Sequence, residues 1–162
     1  MAKAVLWGGL LCGGLDISAA FVDARYNYDI APVRVLQGVA SALLGPAALE
    51  GGLATAVLGL VMHFLVAFAA TAVFYLLCRR FPLLLRWVVP SGLAYGAVVY
   101  FVMYRGVIPL TIELKSLYLT TGSPAWPRLR WQSFAVHLFC VGLPIAVMVR
   151  RFGPRKTSRS KV

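Results

Sequence analysis

Asp16, His63 and His137 are the residues of this chain best suited to proton or metal chemistry, and each lies inside an apolar run. His63 and His137 are the only histidines, and Asp16 is the only carboxylate within such a run. A carboxylate beside an imidazole can hold a cation or pass a proton. Imidazole titrates near neutrality, and a neighbouring negative charge favours its protonated form. Three chemistries follow from these side chains. Asp16 could bond His137 or a tyrosine hydroxyl as a polar clamp between helices. Asp16, His137 and His63 could line a hydrated pocket that binds a cation or relays protons. The histidines could instead hold a haem iron, or join Asp16 around a divalent metal. No close ligand spacing favours the last option, so the simplest expectation is no cofactor.

Such residues need elements to position them. The chain has 162 residues, 60% hydrophobic and 13% charged, with a net charge of +11. Average domains carry roughly a quarter charged residues, and a single water-soluble core of this length could not hide so much apolar surface. The composition excludes an ordinary cytosolic enzyme, a disordered chain and a disulfide-stapled secreted domain. Charges fall between apolar runs spanning 4–22, 51–78, 87–104 and 131–149. About 20 apolar residues cross a bilayer core as a helix, and no period-two alternation points to a barrel. The expected fold class is therefore all-α integral membrane, a four-transmembrane-helix bundle. An amphipathic interfacial or re-entrant segment at 32–44 lies between helices 1 and 2. There Arg34, Gln37 and Ser41 face away from Val35, Leu36, Val39 and Leu43.

Basic residues give the expected orientation. Lys3, Arg79, Arg80, Arg86 and the tail 150–162 hold ten basic residues and no acid, whereas the opposite connections mix six basic residues with Asp23, Asp29, Glu50 and Glu113. Both termini are then cytoplasmic, with the tail touching anionic lipid. No aromatic-interleaved basic module indicates nucleic acid. A cleaved signal peptide is the competing reading of the N-terminus, and Asp16 just before Ser18-Ala19-Ala20 argues against it.

In this frame Asp16 and His137 each lie about 9 Å below the outer boundary at 1.5 Å per residue. Tyr100 falls in the same layer as a hydrogen-bonding wall, His63 sits one to two turns deeper, and Glu113 is a further acid for the outer mouth. Small residues mark close helix approach: Gly9 and Gly13 in the first span, Gly59 in the second, Gly92 and Gly96 in the third. Such seams also suit a homo-oligomer, or an accessory subunit docked on a larger membrane complex. Cys12, Cys78 and Cys140 read as buried free thiols. No P-loop, Gly-x-Ser-x-Gly elbow, His-Glu-x-x-His or dinucleotide fingerprint occurs.

One set of positions carries a family resemblance: His63 within the second span, Arg79-Arg80-Phe81-Pro82 at the inner turn, Pro109-Leu110 after the third span, His137 early in the last span, and Arg150-Arg151 closing it. From His63 onward the chain resembles the YagU-like group of small bacterial inner-membrane proteins. The resemblance implies a bacterial inner membrane, four helices and an association with acid tolerance, and it implies no catalytic residue.

Overall fold

The computed structural model describes residues 1–109 and 130–153, and every regular element among them is helical. In chain order these are α1 (Ala2–Tyr28), α2 (Pro32–Leu44) with a 3-10 turn (Gly45–Leu49), and α3 (Gly52–Arg80). A second 3-10 turn (Pro82–Leu85) leads to α4 (Val88–Val102), which runs on through a π-turn (Met103–Val107). The last helix, α5 (Trp131–Phe152), carries a π-turn of its own (His137–Gly142). Glu113 and the basic tail beyond Gly153 lie outside the described residues.

Four helices are long and apolar enough to cross a membrane: Ala2–Tyr28, Pro32–Leu49, Gly52–Arg80 and Trp131–Phe152. Three contain expected spans, and one is the segment expected to be amphipathic. The expected span 87–104 is α4, 15 residues of α-helix lengthened by the π-turn.

Local chemistry sets the helix ends. α1 continues past the expected exit at Val22 and stops at Asp29, which takes the left-handed conformation (φ 53°, ψ 32°). Asp29 N–H bonds Arg25 O, the 5→1 bond of an αL cap, and Ile30 N–H bonds Ala24 O; aspartate tolerates this conformation without glycine. The Asp29 carboxylate pairs with Arg25. Asp29 thus ends α1 and does not start α2, whose first residue is Pro32, where a missing N–H costs nothing. Gly45 then turns the chain at φ 69°. Pro46 belongs to the 3-10 turn, Glu50 follows that turn, and α3 begins at Gly52.

The helices meet through small residues, as the seams predict. A Cβ on Gly9 would strike the Phe68 ring at 2.1 Å, and one on Gly13 would lie 2.8 Å from Phe64, so α1 and α3 run antiparallel in close contact. A Cβ on Gly92 would meet Ala146 at 3.0 Å, and one on Gly96 would lie 2.3 Å from the His137 carbonyl oxygen. From the other side a Cβ on Gly142 would lie 2.1 Å from Gly92 O, so α4 and α5 touch backbone to backbone. Gly59 faces α2, 1.9 Å from Leu36 O by the same measure. That contact, and Gln37 Nε2–H donating to Gly52 O at 2.9 Å, hold α2 against the first half of α3. Buried Ala4, Phe74, Tyr75, Cys78, Val88, Ile145 and Val149 form the apolar core. Because α1, α3, α4 and α5 alternate in direction, this core lies toward the end holding Lys3, Arg79, Arg80, Arg86, Arg150 and Arg151.

Candidate functional site

At the opposite end α1 and α5 part, and a cavity of about 360 Å³ opens between them. Asp16, Ala20 and Asp23 line it from α1, and Ser133 and His137 line it from α5. A second cavity of about 140 Å³ is lined by Asp16, His137, His63 and an apolar set that includes Val39, Val99 and Val141. Among the described residues, Asp16 and His137 are the only acid and the only base that line both cavities.

Each side chain is held differently. Asp16 is half-buried, and among the described residues its carboxylate receives no hydrogen bond and no ion pair. His137 is half-buried with Nδ1 2.7 Å from Ser133 O, one turn back on its own helix. A carbonyl only accepts, so Nδ1 carries the proton, and Nε2 is the nitrogen left to gain or lose one. The Tyr100 ring stands edge-on to the imidazole at 5.4 Å, and that of Tyr104 at 6.2 Å. His63 Nε2–H donates to Gly13 O at 2.9 Å, across 50 residues of sequence. His63 is therefore the helix clamp, one turn of α1 away from Asp16.

Tyr100 does not serve as the expected pocket wall. It is 2% exposed, and its hydroxyl donates to Arg130 O at 3.2 Å and accepts from Arg130 N–H at 2.8 Å. It packs behind His137 and fixes the start of α5. Tyr104, one turn on, lines the larger cavity in its place.

The rim of the larger cavity holds Asp23, Tyr28 and Arg130. Arg130 makes a bidentate pair with Asp23, Nη1 to Oδ2 at 2.8 Å and Nη2 to Oδ1 at 3.1 Å. Its guanidinium lies 5.2 Å from the Tyr28 ring centre, and Asn27 donates to Asp23 at 2.9 Å. The Asp23 hydrogen bond holds the Arg130 guanidinium above its ordinary pKa, so the arginine stays charged. A usable signal existed: Asp23 follows Asp16 by seven residues, two turns along one helix face.

Among the described residues no three His, Cys, Asp or Glu side chains gather closely enough to hold a metal ion. The three-ligand set of Asp16, His63 and His137 is thus not assembled. His63 is turned to the α1 backbone, and both histidines spend one nitrogen on a carbonyl. Comparison with protein-family models, curated proteins and solved structures finds no match.

The electrostatic sum is simple. Asp23 and Arg130 cancel, which leaves the larger cavity with one carboxylate that, beside a neutral imidazole, no cation among the described residues compensates. That arrangement attracts a positive charge and repels an anion.

Proposed function

We propose that the chain is a small multi-pass protein of a bacterial inner membrane whose Asp16–His137 pocket binds a proton or cation, in a pH response or in cation-linked transport. The observation that carries this reading is the Asp16 carboxylate, which has no partner among the described residues and lines two cavities together with His137. Ionisable groups at membrane depth are expensive, and they face a bundle interior or a watery space where they serve a purpose.

The membrane assignment draws on the surface. Leu6, Trp7, Leu10, Leu53, Val57, Val61, Leu65, Val98, Phe101, Phe139 and Val147 are exposed large apolar side chains that water would disfavour and lipid would solvate. In this reading α1, α3, α4 and α5 span the bilayer. α2, amphipathic and held against the first half of α3 at Gly59 and Gly52, caps the outer half. The basic end faces the cytoplasm. The resemblance to the YagU-like group points to the same compartment.

A pH titration tests the reading. Tyrosine fluorescence of the reconstituted protein, followed over roughly pH 5 to 8, is expected to show a transition because Tyr100 and Tyr104 flank His137. Asp16→Asn and His137→Gln should each displace or remove it while helical circular dichroism is unchanged. Identical titrations in the wild type and both variants would overturn the proposal.

A further inference from the structure

The two cavities differ in chemistry, and the difference specifies a ligand. Around the larger one stand Asp16, Asp23, Arg130 and His137. The smaller is walled mainly by Val39, Val66, Ala67, Val99, Met103 and Val141, with Asp16 and the two histidines at its polar edge. A proton or a bare inorganic cation has no use for the apolar space. A divalent ion needs several oxygen ligands, and among the described residues Asp16 is the one carboxylate of the two cavities without a partner.

Resting on the proposal that Asp16 forms a cation site, we infer that its ligand is an aryl-alkyl ammonium: a compact ammonium at Asp16 bearing a single uncharged ring in the smaller cavity. The sizes agree. An apolar cavity of about 150 Å³ stays dry and accepts benzene, and the smaller cavity measures about 140 Å³. Charge and position agree as well. The ammonium meets the Asp16 carboxylate, which lines both cavities and has no partner among the described residues, and the Tyr104 ring borders the larger space. Met103 gives the ring an adaptable, polarisable neighbour. His63 and His137 can each face the ligand from the polar edge, with one nitrogen already fixed on a carbonyl.

Benzylammonium is the probe, with two controls: methylammonium, which keeps the charge and lacks the ring, and benzyl alcohol, which keeps the ring and lacks the charge. Binding is measured calorimetrically to the full chain in lipid nanodiscs, with empty nanodiscs subtracted. Benzylammonium should bind about tenfold or more tighter than either control, the worth of burying one ring or of one charge contact. Asp16→Asn should remove that advantage over benzyl alcohol. Val99→Phe, which fills the smaller cavity from α4, should weaken benzylammonium about tenfold and leave methylammonium unchanged. If Val99→Phe fails to fold, Val66→Phe fills the same space from a surface position on α3. Equal binding of methylammonium and benzylammonium overturns the inference and leaves the cation site standing. No binding of either ammonium alongside an intact Asp16-dependent pH transition has the same meaning. Loss of both the binding and the pH transition overturns the site itself.

Discussion

The two ends of the bundle are built from the same helices and packed in opposite ways. Toward the basic end, glycine and alanine bring α1 against α3 and α4 against α5, and Phe74, Cys78, Ile145 and Val149 are almost wholly buried. Toward the other end the same stripe of α1 continues as Asp16, Ala19, Ala20 and Asp23, and a 360 Å³ cavity separates it from α5. In lipid, helices associate by close packing of small residues. Where a carboxylate takes the place of glycine in the stripe, its bulk opposes close backbone approach. One end is closely packed and the other holds a cavity lined by Asp16 and Asp23.

The contrast can be broken first at the tight end. Gly142→Leu places side-chain atoms against Gly92 O and the Gly96 backbone, and should cost about 3 kcal/mol or more in thermal unfolding of detergent-solubilised protein. A melt within a degree of wild type would mean that α4 and α5 are not pressed together. The rim of the hollow end should matter less. Arg130→Met strips Asp23 of two charged hydrogen bonds at groups about 30% exposed, for an expected loss of about 2 kcal/mol, and adding Asp23→Asn should restore part of it. An additive double variant would show that the pair contributes nothing as a pair.

The histidines supply a finer comparison. His63→Phe removes the only side-chain bond from α3 to the α1 backbone among the described residues, for about 1 kcal/mol. His137→Phe breaks a bond within its own helix and should change stability by no more than about 0.5 kcal/mol while abolishing the pH transition. Reversed outcomes would exchange the roles of clamp and titrating group. The smallest effect belongs to Gly14, whose added Cβ would touch nothing within 4 Å. Gly14→Ala should stabilise the helix by about 0.5–1 kcal/mol, measured in the same melts.

Much of this was legible in residue order. Small-residue spacing found the seams at Gly9, Gly13, Gly92 and Gly96, and counting residues from the span ends placed Asp16 near His137. Which helix Gly59 would face was not legible, because a glycine shows that a backbone comes close without saying which one. The partner of Asp23 was equally hidden, since Arg130 lies 107 residues away and only the fold joins them. Helix ends were misplaced by six residues at Val22. Hydropathy falls where charges begin, but the helix persists until Asp29 offers a left-handed cap. Tyr100 and Tyr104 share a helical stripe, so spacing alone could not choose between them as pocket wall.

The π-turn His137–Gly142 has a consequence of its own. A π-turn holds one residue more than the α-turn it replaces, and such bulges recur at functional sites. Removing one residue from it would let α5 run as a plain α-helix. The segment Trp131–Val136 would then rotate by about 100° relative to Leu143–Phe152. Ser133 would leave the cavity wall while Ile145 and Val149 kept their places in the core. A single codon deletion could thus erase the pocket and spare the bundle, so the pocket's phase around α5 is set by one surplus residue.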